Sequence, residues 1–402
     1  METRAYQEFV KKVKKSGNHP SILEKLVRNG TATAGILAKS TGLSIPTVTK
    51  VMERMTGDGL VTDYGKQRTA GRRKSKTYAL NPVAGFFAGV EIHRHHLKVG
   101  ICDMTGKIVY ESADKPYLLE NDDAYENMCA AILEAFEEAG EYAGQLIACA
   151  ISIPGRVHSE SGESFNYFSD ASKPLGKALE ERLGMKVYID NDSRIICYGE
   201  YCLRHLDNIR NMLYININWG LGMGMILDGH LYYGSTGLAG ELGHITMFDN
   251  EIFCRCGKKG CLETEASGFA AQRLLLAKHK AGARSTLSRK IENNEEIVLD
   301  DLIQAILSED MLMIEIIEEI GSQLGKGVAA MINIFNPEKV ILGGELAKAG
   351  EYLRMAVLGS VRKCSISIVN RETTIELADT AFNANLAGCC FIARDRTLGI
   401  LR

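Results

Sequence analysis

The sequence predicts a two-part α/β protein: a small winged helix-turn-helix module, then a larger body of alternating strands and helices with a metal-bound loop. Three observations predict it. Residues 1–80 hold 16 Lys+Arg against 6 Asp+Glu, a balance of +10, whereas the remainder holds 31 against 44, a balance of −13. Beyond Asn81-Pro82, apolar strand-like runs alternate with helical ones. A dense Cys run, CRCGKKGC, lies ten residues past His244.

A chain of 402 residues has room for two or three domains, and its charged fraction of 24% is that of an ordinary globular protein. The start METRAYQEFVKKVKK is polar and basic, and no apolar run reaches membrane-spanning length, so neither a secretory leader nor a membrane span is expected. Eleven cysteines, an odd number, fit a reducing cytoplasm.

Arg4 to Lys15 reads as a helix with Tyr6, Phe9, Val10 and Val13 apolar, either packed on the next domain or mobile. A helix–helix–turn–helix pattern follows. Ile22, Leu23, Leu26 and Val27 mark the first apolar face; Ile36 and Leu37 mark the second, with Thr33 as its N-cap. Gly42 supplies the turn, and Ser44 caps SIPTVTKVMERM with Pro46 in the first turn. With Val48, Val51, Met52 and Met55 inward, Ser44, Pro46, Thr47, Thr49 and Lys50 face outward. Small polar groups for base edges and a cation for phosphate are what a recognition helix needs. LVTDYGKQRTAGRRKSKTYALNP then reads as a two-stranded wing whose basic tip includes Arg72 and Arg73. Helix order, turn, wing and charge together favour operator DNA as the partner over a helical dimerisation module with an incidental basic face.

In the body, FFAGVEIHRHHLKVGICDMTGKIVYES reads as a hairpin or meander, and LIACAISIPG and MKVYIDND as strands, with helices over Tyr125–Gly140 and Lys173–Leu183 between them. No useful internal sequence repeat is visible. Residues 271–310 read as a helical excursion, MLMIEIIEEIGSQLGKGVAAMINIF as a long buried helix, and TAFNANLAGCCFIARDRTLG as a closing helix with Cys389 and Cys390 in the core.

His244, Cys254, Cys256 and Cys261 form a complete tetrahedral donor set for Zn2+, with no position left for water. That makes the expected ion structural; the alternative is three buried free cysteines. Gly257 and Gly260 let the backbone aim the sulfurs at one point.

The stretch INWGLGMGMILDGHLYYGSTGLAGELGHITMFDNEIFCRCGKKGCLETEAS resembles the signature of the ROK family (repressors, open reading frames and sugar kinases). Gly220, Gly222, Gly224, Gly234, Gly240 and Gly243-His244 fall in its register, and the cysteines match its zinc motif. The resemblance implies a two-lobed actin-like ATPase (ribonuclease H-like) body, with the winged module at 1–81, lobe 1 at 82–190 and lobe 2 at 191–402, the closing helix packing back on lobe 1. It also implies a sugar site of Asn191, Asp192, Glu241, His244 and Glu263, with Gly155 and Asn166 flanking. One His244 nitrogen would take zinc and the other a sugar hydroxyl.

The resemblance to the family's kinases fails at the nucleotide. The first phosphate loop, Asp-x-Gly-Gly-Thr-Lys, is Glu91-Ile92-His93-Arg94-His95-His96; the Gly-Thr-Gly loop is Asn218-Trp219-Gly220; Leu-Gly-Gly-Gly is Leu342-Gly343-Gly344-Glu345. Asp192 keeps the place of the general base, but phosphoryl transfer also needs nucleotide phosphates and magnesium held. His93, His95 and His96 read as strand residues without an acidic partner. The expectation is therefore a cytoplasmic, sugar-responsive repressor, a homodimer or tetramer with no enzymatic activity. The rivals are an active sugar kinase carrying a regulatory head, and a DNA-binding protein that answers to a protein partner.

Overall fold

In the computed structural model, residues 4–15, 19–68, 74–168 and 172–401 are described. The chain forms two compact units, Met1–Asp207 with Asn383–Arg402, and Asn208–Phe382.

The first unit opens with α1 (Arg4–Lys15). Phe9 and Val13 are buried, Phe9 sits edge-on to Phe87 with ring centroids 6.0 Å apart, and Tyr6 Oη lies 3.0 Å from Tyr188 Oη. The helix is thus docked on the body, one of the two outcomes open from sequence. Next come α2 (Pro20–Asn29), β1 (Thr31–Thr33), α3 (Ala34–Thr41), α4 (Ile45–Gly57), β2 (Val61–Arg68) and β3 (Lys74–Leu80). Thr33 Oγ1 accepts from Ile36 N to start α3, Gly42 ends it at φ 72°, and Ser44 caps α4 by accepting from Thr47 N. Val48, Val51, Met52 and Met55 recur every three or four residues and are buried, as are Ile22, Leu23, Leu26 and Leu37. Ile36, assigned to the apolar face of α3, is instead exposed: its position beside the cap turns it outward, and Ala38 joins Leu37 inside. The strands form an antiparallel sheet in the order β1-β3-β2.

The body part of this unit is a sheet ordered β11-β8-β4-β5-β6. Its members are β4 (Phe86–Ile92), β5 (His96–Asp103), β6 (Ile108–Glu111), β8 (Leu146–Ile153) and β11 (Lys186–Asn191), with β7 (Lys115–Pro116) pairing β5. β4, β8 and β11 run parallel; β5 and β6 complete an antiparallel meander. β8 is buried along its whole length, which explains its unbroken apolar run. Helices α5 (Ala124–Glu138) and α6 (Leu175–Leu183) bury an apolar face each, and the two-residue strands β9 (Val157–His158) and β10 (Glu163–Ser164) form a hairpin. α7 (Asp192–Leu203) follows β11 directly.

The C-terminal helix Ala384–Thr397 is buried over most of its length, with Cys389 and Cys390 wholly inside. It packs against β4, β8 and α7. A Cβ on Gly199 of α7 would stand 1.9 Å from Ala384 O, so only glycine allows this approach. That packing also corrects a boundary. α7 belongs with the first unit and the division falls after Asp207, not after residue 190, because α7 and the closing helix share one core.

The second unit holds β12 (Met212–Ile217), β13 (Leu221–Leu227), β14 (His230–Leu231), β15 (Lys339–Gly343) and β16 (Thr374–Leu377) in the order β14-β13-β12-β15-β16. Its helices are α8 (Gly268–Lys280), α9 (Ser288–Glu292), α10 (Leu299–Leu307), the 25-residue α11 (Met311–Phe335), α12 (Glu351–Cys364) and α13 (Ser367–Asn370). β12 and β13 and then β13 and β14 pair antiparallel, while β12, β15 and β16 run parallel. Both sheets therefore have the same build, an antiparallel meander extended by two parallel strands. The duplication is one of topology, invisible as a sequence repeat. Among the described residues no helix is long and apolar enough to cross a membrane.

Candidate functional site

Between β14 and α8 of the second unit the chain makes few regular elements, because it is spent on a knot of short turns. Glu241 precedes a single 3₁₀ turn, Leu242–His244, and Cys261 precedes another, Leu262–Thr264. Bridges from Thr246 to Cys261 and from Phe253 to Lys259 fold the intervening loop on itself. A Cβ on Gly260, at φ 74°, would stand 2.0 Å from Phe248 O, so this crossing requires glycine.

The knot brings His244, Cys254, Cys256 and Cys261 together, their donor atoms all within 4.8 Å of one another. Cys256 Sγ and Cys261 Sγ are 3.6 Å apart, and Cys254 Sγ is 3.4 Å from His244 Nδ1. A tetrahedral ion with bonds of about 2.3 Å to sulfur holds two sulfurs about 3.8 Å apart, so these two spacings are near tetrahedral and the set could hold a metal ion. Burial pushes the Cys254 and Cys261 thiols up. A divalent cation would reverse that penalty by taking the thiolates directly.

His244 presents Nδ1 to this cluster and Nε2 toward Glu241 Oε2, 3.7 Å away. Glu263 Oε2 accepts from Leu221 N at 3.0 Å, and its Oε1 lies 3.5 Å from Cys254 Sγ. Thus Glu241, His244 and Glu263 share the knot. Glu263 is tied to it through Cys254 as well as through its neighbour Cys261.

Asn191 and Asp192 lie in the first unit, at the junction of β11 and α7. Asn191 Oδ1 caps α7 by accepting from Arg194 N, and its Nδ2 donates to Gly155 O (2.8 Å) and Asp192 Oδ1 (2.9 Å). Asn166 Oδ1 accepts from Arg156 N beside Gly155, so both flanking residues join this group. Burial pushes the Asp192 carboxyl up, while hydrogen bonds from Ser193 N and Oγ pull it back. Beneath it, Arg194 Nε donates to Asp190 Oδ1 at 2.7 Å with both side chains buried, and Arg194 Nη2 donates to Val157 O. Sequence reading passed over this pair. An Asp and an Arg four apart across a strand end carry no mark of burial in sequence.

The three altered loops are each closed by the chain's own groups. His93, Arg94 and His95 form the turn between β4 and β5, and only His96 enters a strand. His93 stacks on His96 (centroids 4.3 Å apart), and its Nε2 lies 3.5 Å from Glu91 Oε1, which also accepts from Asn383 Nδ2. This corrects the reading of a strand without an acidic partner, since the turn folds His93 back over the acid two residues before it. Asn218 Oδ1 accepts from Glu345 N at 2.7 Å, and its Nδ2 donates to Asn216 Oδ1. Trp219 packs tilted against Phe269 with ring centroids 5.1 Å apart, and the Arg255 guanidinium of the knot lies over the Phe269 ring at 4.1 Å. That ladder was not foreseen. Phe269 and Arg255 gave no signal until the fold placed them.

In the head, Ser44, Pro46, Thr47 and Lys50 are exposed, and Thr49 is half-buried with its hydroxyl donating to Ile45 O. Ser44 Oγ and Thr47 Oγ1 lie 2.8 Å apart. Ile45, also exposed, sits among them. Arg72 and Arg73 lie outside the described residues.

Paired sheets of like topology, each a meander with two parallel extensions, define a kinase-type, actin-like α/β body, and here it carries a cluster of one histidine and three cysteines. The chain belongs to the ROK family, whose model matches residues 87–396. It is similar to the xylose repressor of Caldicellulosiruptor bescii, with 25% identity over 374 residues, 92% of this chain and 93% of that one. A solved ROK family transcriptional regulator, a homologue of the Escherichia coli Mlc protein, superposes with a TM-score of 0.79 at 27% identity, over 96% of this chain and 98% of that one. A ROK glucokinase from Streptomyces griseus, solved with glucose and AMPPNP, shares the fold at a TM-score of 0.66 and 24% identity, covering 77% of this chain and 99% of its own.

Proposed function

We propose that the chain is a sugar-responsive transcriptional regulator, a repressor of carbohydrate-utilisation genes. In this reading α2 to β3 are a winged helix-turn-helix that binds operator DNA through Ser44, Pro46, Thr47, Thr49, Lys50, Arg72 and Arg73. Asn191, Asp192, Glu241, His244 and Glu263 bind a sugar. The single observation that carries it is the closing of the nucleotide loops: donors that a phosphate would need are already taken, as Glu345 N is by Asn218. A body that binds sugar but holds no nucleotide can report the sugar and cannot phosphorylate it. Repressors of known name among its relatives support the same reading.

His244, Cys254, Cys256 and Cys261 would hold zinc. When bound, the ion supplies structural charge and fixes the His244 tautomer, with no open position for chemistry. His244 then keeps Nε2–H as a donor aimed alongside Glu241, and Glu263 accepts from a sugar hydroxyl with the oxygen not taken by Leu221 N. Two heads must meet half-sites one or more helical turns apart, so the working form is a homodimer or tetramer. Sugar acts by favouring a body conformation in which head spacing no longer fits DNA, limited by its differential affinity for the two states.

The test is an electrophoretic mobility shift on the promoter of the chain's own gene neighbourhood across a panel of saturating sugars. Release by one sugar is expected; binding unchanged by every sugar refutes the control mechanism. One observation favours a second reading, an active sugar kinase: Asp192 retains its place and a carboxyl pushed up by burial, as a general base would. An ADP-release assay with hexoses and N-acetylhexosamines decides. Turnover abolished by Asp192→Asn would establish the kinase.

A further inference from the structure

We propose that α1 is a second DNA-contact surface, whose lysine stripe holds the phosphate backbone of duplex DNA beside the stretch gripped by the head; this rests on the DNA-binding reading above. The helix has two faces with separate jobs. Tyr6, Phe9 and Val13, at i, i+3 and i+7, meet the body, with Phe9 and Val13 buried. Gln7, Val10, Lys11, Lys14 and Lys15, at i, i+3, i+4, i+7 and i+8, line one shallow groove along the other side.

Charge separates this stripe from an ordinary solvated face. α1 carries five basic side chains against one acid, and Arg4 takes that acid, Glu8, at 2.8 Å. Among the described residues Lys11, Lys14 and Lys15 form no ion pair, and all three are exposed. The body beneath is rich in acid overall, yet among the described residues no carboxylate lies within ion-pair distance of these three cations.

Position and packing select the partner. From Lys15 to Pro20, where α2 begins, the chain advances five residues, which at full extension cannot exceed about 18 Å. The stripe therefore ends close to the head, within reach of backbone flanking a bound site. A helix that lies on a membrane must bury its own apolar face in lipid. Here that face is already spent on Phe87 and Tyr188, leaving a mainly polar, lysine-rich side to face outward, and an ammonium on a flexible stem suits a phosphate without reading sequence.

The experiment compares the full-length protein with the triple variant K11A/K14A/K15A and with K11R/K14R/K15R. Binding to a labelled duplex of roughly 30 base pairs and arbitrary sequence is followed by fluorescence anisotropy between about 50 and 200 mM salt. Each phosphate contact adds about 0.9 to the slope of log K against log salt, so the alanine variant should be shallower by about two to three units. The arginine variant should keep the wild-type slope, and both should melt with the wild type because the side chains are exposed. An unchanged slope in the alanine variant overturns the proposal. So does loss of binding to phosphatidylserine vesicles with the DNA slope intact, which would give the stripe to lipid. Wild-type protein that binds no duplex at all would sink the DNA-binding reading itself, a different and distinguishable failure.

Discussion

Replacing Arg194 by Met removes the guanidinium and keeps most of the side chain's apolar bulk. In the wild type, Asp190 Oδ1 accepts from Arg194 Nε at 2.7 Å and from Asn191 N at 2.8 Å, while Oδ2 lies 3.5 Å from Arg396 Nη2. Asp190 is wholly buried and Arg194 nearly so. Breaking a buried pair by deleting one partner costs about 3–5 kcal/mol, because the other charge is left without compensation. Arg396 remains near, so the lower end, about 3 kcal/mol, is expected. At about 2–4 °C per kcal/mol for a unit of this size, melting should fall by about 6–12 °C. Thermal unfolding by circular dichroism measures it. Asp190→Asn with Arg194→Met should recover part of the loss, since the uncompensated carboxylate is then gone while Arg396, which loses its acid, keeps its bond to Ser159 O. A single variant melting within about 2 °C of wild type would refute the reasoning. A double variant as unstable as the single one would move the cost from charge to packing.

Three other outcomes are expected. Asp192 is an acid pushed up by burial, so its ionisation opposes folding: its contribution is fully present below the ordinary aspartate range, near about 3.9, and is lost as pH rises through the raised value. Asp192→Asn, which keeps an oxygen for Ser193 N, should therefore melt above wild type at neutral pH, with the gap closing toward about pH 4, while isothermal titration shows sugar binding lost. Equal melting at neutral pH would contradict that sign. Cys256→Ser should lower bound zinc from one per chain to none by mass spectrometry and open residues 245–262 to proteolysis; a variant with full sugar affinity would show that the knot does not depend on the ion. Asn218→Ala frees Glu345 N yet should not restore ADP release, because His93 and Trp219 still stand where phosphate loops were. Turnover in that variant would mean that one hydrogen bond had been the whole barrier.

How legible all this was depends on how local each feature is. Caps and turns are local, and Thr33, Gly42 and Ser44 act as the sequence reading expected. The His/Cys cluster was legible because one histidine and three cysteines within eighteen positions have few other uses, and the knot brings their donor atoms within 4.8 Å of one another, a set that could hold a metal ion. Ile36 was misplaced because a period-3.6 pattern cannot say which way a residue in the first turn of an eight-residue helix faces. The unit boundary was missed for a different reason. Asn191-Asp192 looks like a strand end opening a new lobe, and nothing in α7 announces that Gly199 must meet a helix nearly two hundred residues later. Likewise the His93–Glu91 contact needs the tight turn at Arg94-His95, and an alternation rule sees only strand.

The loops that lost their phosphate chemistry did not simply become disordered or polar, and this bears on what the body now does. A nucleotide loop must keep backbone donors free in the absence of ligand, a cost that nucleotide binding offsets. Here Asn218 satisfies Glu345 N, Glu91 is matched by Asn383 and His93, and Trp219 and Phe269 pack between that loop and Arg255 of the knot. Each substitution replaces a group that waits for a ligand with one that is already paired. Within the second unit, the Asn218 loop is thereby joined by contact to the Cys254–Cys261 knot and so to His244 and Glu263. A kinase needs those parts free to open and close on ATP; under the proposed function a sensor gains by having them move together, since a sugar bound at His244 or Glu263 would shift the loop as well.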